Sequence, residues 1–351
     1  MAISASSFSN PVLGGAFLAA AAVIAVAGVA ITRRADAIAD RTGLGEALIG
    51  AVLLGGTTSL PGIVTSVSAA WSGYAALSIS NALGGIAVQT AFLAVADIFY
   101  RKANLEHAAA SAPALSESAL LMILLAIPLA ASAGPEVTFG GIHPATPLLV
   151  ASYLGGLRLL HHAKDHPMWL PRRTSLTRRD QNESESSSAL PQEARSDSSD
   201  LRLWLEFGLL AILLGGSGYL LSKLGIEVAD RTDLDETAVG GLLTGVVTSL
   251  PELVTAVAAV RQGALTLAVS GIIGGNAFDT LFLAFSDVAY REGSIYHQFN
   301  AQHVFVISVA LLMTGILLLG LLRRQKNGPA GIGFEGISIL ILYGLAAAVM
   351  F

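Results

Sequence analysis

The chain has 351 residues, of which 53% are hydrophobic and only 13% charged, and its mean hydropathy is +0.66. Since soluble domains carry about 25% charged residues, this composition excludes an ordinary soluble protein. The net charge of -5 comes without a Lys/Arg-rich face, which argues against nucleic-acid binding. The absence of cysteine excludes disulfides and thiolate metal sites.

Ten apolar runs are long enough to cross about 30 Å of hydrocarbon as helices, which takes about 20 residues each. The runs are continuous and rich in Leu, Ala, Val and Gly, unlike the short alternating segments of a membrane barrel. We therefore predict an all-α integral membrane protein with ten transmembrane helices in a lipid bilayer. The predicted spans are 11 to 32, 44 to 70, 75 to 99, 115 to 133, 143 to 160, 203 to 222, 237 to 260, 264 to 289, 301 to 322 and 331 to 350.

The distribution of Lys and Arg predicts the orientation of these spans. With the N-terminus outside, the inner loops hold 17 of the 20 basic residues, as the positive-inside rule requires. The polar stretch 161–202 is too poor in apolar residues to form a core, so we expect a flexible cytoplasmic linker. It separates a first unit, 1–160, from a second unit, 203–351.

An internal repeat relates these two units. Residues 39–101 and 229–291 align without a gap at an offset of 190 residues and are identical at 30 of 63 positions. Each unit holds five predicted spans, and because five is odd, the second unit enters the membrane from the opposite side. We therefore predict two inverted five-helix repeats, an arrangement typical of secondary transporters.

Among the acids inside predicted spans, where insertion of a carboxylate costs about 2.5 to 3.5 kcal/mol, Glu252 and Asp279 stand out. Glu252 follows Pro251, which removes a backbone donor and frees carbonyls. Asp279 follows Gly274 and Gly275, which we expect to allow close helix approach. Carboxylates, hydroxyls, an amide and freed carbonyls form a hard-oxygen set suited to Ca²⁺, Na⁺ or Mg²⁺. The candidate ligands of the second unit are Glu252, Asp279, Asn276, Thr248 and Ser249.

The alternative for Glu252 and Asp279 is that both are protonated structural groups bonded between helices. Two further acids, Asp97 and Asp287, each precede an arginine by four residues, and we expect ion pairs at the ends of helices. The sequence has no H-E-x-x-H, no Gly-rich phosphate loop and no G-x-S-x-G. We therefore expect no enzyme activity and no cofactor.

The motif Gly-x-x-Thr-Ser-Leu-Pro-Glu, ending at Glu252, is followed after a short turn by Gly-Gly-Asn-x-Phe-Asp, ending at Asp279. Together with ten spans in two inverted halves, these motifs resemble the cation/Ca²⁺ exchanger superfamily, in particular prokaryotic sodium/calcium exchangers. The resemblance implies Ca²⁺ binding by the acids, supported by Thr248, Ser249 and Asn276, with Thr58 and Ser59 contributing from the first repeat. It also implies that the first and sixth spans slide past a core of the second, third, seventh and eighth.

The first repeat departs from that pattern at three positions. Gly62, Ile86 and Gln89 stand where Glu252, Asn276 and Asp279 stand in the second. We keep Gln89 among the candidate ligands of the cation. We expect Asn81 either to substitute in part or, preferably, to pack between helices, and we expect Gly62→Glu to raise divalent affinity.

The leading hypothesis is a prokaryotic inner-membrane antiporter that exchanges Ca²⁺ against Na⁺ or H⁺, with inorganic cations as its only small partners. The alternatives are a monovalent cation/H⁺ antiporter, favoured by the lost acid, and a passive cation channel or non-transporting membrane protein.

Overall fold

The computed structural model describes residues 9–42, 56–100, 103–165, 170, 172, 174, 200–326, 328 and 332–351, and this part of the chain is helical without a β-strand. The helices of the first half are α1 (Asn10–Thr42), α2 (Leu60–Trp71), α3 (Ala75–Ile98), α4 (Leu105–Ala109), α5 (Ala112–Ser132) and α6 (Ala145–Asp165). Those of the second half are α7 (Asp200–Arg231), α8 (Glu236–Thr248), α9 (Leu250–Gln262), α10 (Leu265–Asp279), α11 (Leu281–Ala289), α12 (Ala301–Arg323) and α13 (Phe334–Met350). A 3₁₀ turn, Ile295–Gln298, lies between α11 and α12.

Local signals in the sequence account for where several helices begin. Ser111 accepts a hydrogen bond from the amide of Ala114 at the start of α5. Asn300 and His303 bond each other's backbone amides reciprocally at the start of α12. Long apolar segments with such starts form helices because all backbone groups are satisfied within the segment.

Within the described residues, six helices are long and apolar enough to cross a membrane. They are α1, α3, α5, α7, α10 with α11 taken as one, and α12. The pair α8 and α9 passes the same test together but is bent by 44°. The molecule is thus a multi-spanning, nearly all-helical membrane protein.

The count of ten predicted spans is not established by these helices. The predicted span 44 to 70 lies partly outside the described residues, which contain only its later part, α2. The predicted spans 143 to 160 and 331 to 350 coincide with α6 and α13. However, α13 has 17 residues, and α6 is not among the six helices above. The predicted linker 161–202 lies largely outside the described residues.

The helices of the two halves recur at the offset found in the sequence. Adding 190 to the first residue of α1, α2 or α3 gives the first residue of α7, α9 or α10. The short α4 corresponds to the 3₁₀ turn, α5 to α12 and α6 to α13, with starts that agree within one residue. The identity between repeats therefore extends to helix placement beyond the aligned segment.

Helix α3 lies at the centre and is buried along nearly its whole length. It packs against α2, α8, α9, α10, α12 and α13. Its closest approach is at Gly84, where an added Cβ would lie 2.4 Å from the Cα of Gly241. The expectation of a close approach at Gly274 is wrong, because nothing lies within 4 Å of a Cβ there. The small residue is needed at the equivalent position in α3 instead.

The predicted ion pair of Asp287 is also wrong. Its carboxylate accepts hydrogen bonds from the amides of His143 (2.9 Å) and Ile295 (3.1 Å) and from the hydroxyl of Thr146 (2.7 Å). Arg291 instead lies over the ring of Trp71, 5.7 Å from its centre. Asp97 accepts from the amide of Leu105, while its predicted partner, residue 101, lies outside the described residues.

Candidate cation site

Two helix breaks bring the predicted ligands to the middle of the bundle. Ser59 interrupts the helix that continues as α2, and Ser249 separates α8 from α9. A proline follows each serine after one leucine, at Pro61 and Pro251, so both helices restart where a backbone donor is missing anyway. Because α3 and α10 pack against these broken helices, side chains from four elements converge at the breaks.

Asp279 is the centre of this arrangement. It lies at the end of α10, 2% exposed, and its two oxygens accept one hydrogen bond each. Ser59 Oγ donates to Oδ1 at 2.6 Å, and Gln89 Nε2 donates to Oδ2 at 2.6 Å. Gln89 also lies 3.2 Å from Ser249 Oγ. Asp279 and its repeat counterpart Gln89 are thus direct partners, and each faces the serine of the other repeat.

Glu252 lies on the first turn of α9, 6% exposed, and joins the same site. Its carboxyl group interacts electrostatically with Asp279, and the hydroxyl of Thr58 reaches it from the first repeat. The bend between α8 and α9 supplies the change of direction that brings Glu252, near a helix start, beside Asp279, at a helix end. The two acids, Thr58, Ser59, Gln89 and Ser249 are thus joined by these interactions, and Asn276 lies one helical turn before Asp279, so seven of the eight candidate ligands belong to these converging segments.

Among the described residues, three buried oxygen atoms of the site have no hydrogen-bond partner: Glu252 Oε2, Gln89 Oε1 and Asn276 Oδ1. Asn276 lies one turn before Asp279, and its amide nitrogen donates to Thr90 Oγ1 at 2.9 Å, which leaves its oxygen without a donor. An unpaired buried acceptor costs about 1 to 3 kcal/mol. Carboxylate and amide oxygens are the ligands that Na⁺ and Ca²⁺ prefer, so these atoms fit a bound cation.

Thr248, the remaining predicted ligand, is buried but donates its hydroxyl proton to the carbonyl of Gly245 in its own helix at 3.2 Å. The described part of the chain contains no group of three His, Cys, Asp or Glu side chains suited to a metal ion. The site therefore has two carboxylates, and all its other donors are neutral oxygens.

The first-repeat departures have a structural explanation. At Gly62 an added Cβ would lie 2.5 Å from Cε2 of Phe282, so an aromatic ring occupies the place of the missing acid's side chain. Asn81 packs between helices, as preferred above: its amide donates to Gly62 O (3.2 Å) and Ser66 Oγ (2.9 Å), and its oxygen accepts from Thr244 (2.8 Å). The expectation that Gly62→Glu alone would raise affinity did not include this ring.

Sequence reasoning missed Thr90 and Phe282. Thr90 is identical to Thr280 in the aligned repeat, and it directly follows Gln89, so the alignment contained a signal for it. Phe282 is likewise identical to Phe92, but which of the two rings fills the site depends on packing.

The family model for sodium/calcium exchanger protein matches residues 12–151 and 202–351, most of the chain. The chain belongs to the sodium/calcium exchanger protein family. This finding confirms the resemblance seen in the sequence, and it identifies a membrane protein of a family of cation exchangers, which carry out antiport and calcium transport and are not enzymes.

Curated relatives span different shares of this exchanger. The putative antiporter CaxA of Alkalimonas amylolytica is 25% identical over 302 residues, which is 83% of this chain and 85% of that protein. The inner membrane protein YrbG of Escherichia coli is 30% identical over 131 residues, 37% of this chain and 39% of YrbG. Human sodium/potassium/calcium exchanger 5 is 27% identical over 117 residues, 32% of this chain and 23% of that protein. The matched part is thus well under half the length of the last two.

Solved exchangers share the fold. The H⁺/Ca²⁺ exchanger CAX superimposes with a TM-score of 0.67 at 14% identity, covering 96% of this exchanger and 85% of CAX. The sodium-calcium exchanger NCX_Mj superimposes with a TM-score of 0.60 at 20% identity, covering 96% and 98%. At these identities the likeness concerns the fold alone.

Proposed function

We propose that this exchanger is a secondary antiporter that exchanges Ca²⁺ against Na⁺ or H⁺ by alternating access. The observation that carries the proposal is the pairing of Glu252 and Asp279 in one buried site that also contains three unpartnered oxygens. One dication neutralises two carboxylates, and burial of two uncompensated charges would be strongly unfavourable. The unpartnered oxygens supply neutral ligands, of the kind that Ca²⁺ takes in coordination numbers of six to eight.

Charge balance extends this proposal to the stoichiometry. When Ca²⁺ leaves, the same two carboxylates are neutralised by two Na⁺ ions or by two protons. Exchange of one Ca²⁺ for two monovalent cations keeps the site neutral in both directions. Support comes from Gly62, because a third carboxylate at that position would require a different balance.

Two glycines support alternating access by sliding of α1 and α7. These helices pack along each other, α1 also contacts α9, and α7 also contacts α2. An added Cβ at Gly28 would lie 2.4 Å from Pro251 Cγ, and one at Gly218 would lie 2.5 Å from the carbonyl oxygen of Pro61. Gly28 and Gly218 are themselves 190 positions apart. Each long helix thus crosses the proline of a broken helix at close range, where its movement would reach the site.

The topology belongs to the same proposal. Ten spans in two inverted repeats of five, separated by the linker 161–202, are consistent with helix starts that recur at the offset of 190. The distribution of basic residues favours an outer N-terminus and a cytoplasmic linker, in a prokaryotic inner membrane.

A second candidate function is exchange of a monovalent cation against H⁺. The observation favouring it is the ring of Phe282 at Gly62, which removes one acid from the site. A site with fewer acids holds a dication less strongly, whereas one Na⁺ and one proton would still neutralise Glu252 and Asp279.

The test is uptake of ⁴⁵Ca²⁺ into proteoliposomes under an opposing Na⁺ or H⁺ gradient. We expect uptake by the wild type, and loss of at least about 10²-fold with Glu252→Gln or Asp279→Asn, since one charge–charge contact with a buried cation is worth several kcal/mol. Glu136→Gln, at an exposed position, serves as the matched control. Uptake that persists in both acid variants would refute the site, and uptake without any counter-ion would indicate a channel.

A further inference from the structure

A second set of buried acids lies away from the cation site, where α3 ends. Asp97 is on the last turn of α3, Glu106 on the short α4 and Glu335 on the first turn of α13, and none is more than 1% exposed. Glu106 interacts electrostatically with both of the others. Within the described part of the chain, no donor bonds either oxygen of Glu106, either oxygen of Glu335 or Oδ2 of Asp97. Three carboxyl groups thus lie together with five unpartnered oxygens.

The aspartate of this cluster has a structural role that recurs in the other half. Leu105 donates its amide proton to Asp97 Oδ1 at 2.7 Å, and Ile295 donates to Asp287 Oδ1 at 3.1 Å. In each case the donor is eight residues beyond the acid, and the two pairs differ by the offset of 190. Each aspartate therefore holds the start of the element that follows its helix.

The two glutamates have no such counterpart. Tyr296 stands at the offset position of Glu106, and Ala145 stands at that of Glu335. The Tyr296 hydroxyl bonds Thr146, whose own hydroxyl donates to Asp287, so the corresponding place is a satisfied polar network with one acid. The start of the element that follows the helix is held by the aspartate alone. The presence of Glu106 and Glu335 therefore needs another explanation.

Among the described residues, the basic side chains near the glutamates contact other groups. Arg324 donates to the carbonyls of His107 (3.0 Å) and Arg172, and Arg323 lies over the ring of Phe334 at 5.0 Å. The His107 ring faces the carbonyl of Arg324 and the hydroxyl of Thr174. Among the described residues, the other charged or titratable groups on α3, α4, α10, α12, α13 and the linker after α12 are Asp97, His107, Asp279, His303, Arg323, Arg324, Lys326, Glu335 and Tyr343. Arg101 and Lys102 lie outside the described residues.

A proton fits this cluster better than a metal ion. Glu106 and Glu335 interact with each other, and since ionised carboxylates only accept hydrogen bonds, a bond between the two groups requires a proton on one of them. No group of three acids or histidines among the described residues is arranged for a metal ion. Burial, followed by the carboxylates of Asp97 and Glu335, raises the pKa of Glu106 well above its usual value.

We propose that Glu106 and Glu335 form a proton-binding site at this end of the bundle, in which Glu106 carries the proton and donates it to the carboxylate of Glu335. The ligand is a proton exchanged with the solution at that face. Glu335 is seated against Gly320, where an added Cβ would lie 2.8 Å from its Cγ, so the close approach of α12 and α13 fixes the acceptor. Loss of the proton leaves two buried carboxylates that repel each other.

The test is pH-difference infrared spectroscopy of the full chain in lipid nanodiscs, read at the C=O stretch of protonated carboxyl groups. The background is Glu252→Gln/Asp279→Asn, so that the central acids contribute no carboxyl band and the outcome is independent of the proposed exchange. We expect a band that disappears as pH rises and that is absent in Glu106→Gln. In Glu335→Gln the band should lose its charged acceptor and titrate at least about one pH unit lower.

A control variant, Glu106→Tyr/Glu335→Ala, carries the residues that the other repeat has at these positions. It should fold and lack the band. A band that remains in Glu106→Gln would overturn the proposal. Removal of the band by Ca²⁺ at constant pH would also overturn it, because the cluster would then be a metal site. If the background fails to fold, the same bands are measured as the difference between wild type and Glu106→Gln.

Discussion

At the scale of single residues, the proposed cation site depends on Gln89, an amide at the position where the repeat would place a carboxylate. Gln89 donates to Asp279 at 2.6 Å, a distance at which two carboxylates would repel each other. The amide thus holds the acid in place and still presents a free oxygen, Oε1, to the site. Loss of a charge at Gln89 is therefore part of how the two halves fit together.

Gly62 is the residue at which the ring of Phe282 can be tested. We expect Gly62→Glu alone to lower the apparent melting temperature, because its Cβ would lie 2.5 Å from the ring and overpacking typically costs about 1 to 3 kcal/mol. Gly62→Glu/Phe282→Ala should recover part of the stability and bind Ca²⁺ more tightly than Phe282→Ala. Thermal unfolding and ⁴⁵Ca²⁺ binding measure both effects. Equal melting temperatures for Gly62→Glu and wild type would contradict the packing argument.

Glu106 predicts a pH dependence of stability. Since its pKa is raised in the folded state, the folded chain keeps a proton that the unfolded chain releases above about pH 4.3. More protons are bound to the folded state in that range, so stability falls as pH rises until the raised pKa is passed. We expect a smaller fall in melting temperature for Glu106→Gln than for wild type, with Glu136→Gln as control. Parallel curves for all three proteins would show that the carboxyl is not protonated when folded.

At the scale of helices, α1 crosses Pro251 at Gly28 and α7 crosses Pro61 at Gly218, in both cases within van der Waals contact. Proline gives both broken helices a rigid ring and a missing donor at the crossing. Any side chain larger than that of glycine at Gly28 of α1 or Gly218 of α7 would push the long helix away from the proline it crosses.

We therefore expect Gly28→Ala or Gly218→Ala to slow Ca²⁺ exchange in proteoliposomes at least about tenfold, because a Cβ inside 3 Å forces the helices apart. Gly14→Ala and Gly208→Ala are matched controls on the same two helices, since nothing lies within 4 Å of a Cβ at either position. Exchange slowed equally by all four substitutions would contradict a specific role for the crossings.

The sequence predicted much of this architecture and of the site because both repeat. The offset of 190 located the helix breaks, the pairing position of Gln89 with Asp279, and the serines that face them. It could not show that Phe282 lies at Gly62, which depends on how two helices rotate. It also could not find Glu106 and Glu335, since they correspond to a tyrosine and an alanine and are acids in one half only. The ion pair expected for Asp287 failed because nearby backbone amides bind its carboxylate instead.

At the scale of the whole molecule, the balance of charge in the site determines whether transport moves net charge. In the proposed site, two carboxylates with neutral oxygens for the rest would accept one Ca²⁺ or two monovalent cations without a change in total charge. Exchange should then depend on the ion gradients and not on the membrane potential.

We expect Ca²⁺ uptake in proteoliposomes to be unchanged, within about twofold, when a K⁺ diffusion potential of about 100 mV is imposed with valinomycin. A transport cycle that moved one net charge across the membrane would gain or lose about 2.3 kcal/mol at that potential. The positive control is an ionophore that carries Ca²⁺ alone, in liposomes without the exchanger, because its Ca²⁺ uptake must respond to the imposed potential. Strong acceleration by an inside-negative potential would contradict this stoichiometry. It would mean that fewer than two positive charges leave for each Ca²⁺ that enters, or that Ca²⁺ moves alone.

Because the ring of Phe282 takes the place of an acid at Gly62, the two halves contribute different ligands to the proposed site. Two copies of the second half would bring two glutamates and two aspartates together, twice the negative charge that one dication neutralises, while two copies of the first half would supply none of these acids. A gene encoding either half alone could therefore not replace the whole by self-association. If the chain is split within 175–199, only co-expression of both pieces supplies the full set of ligands.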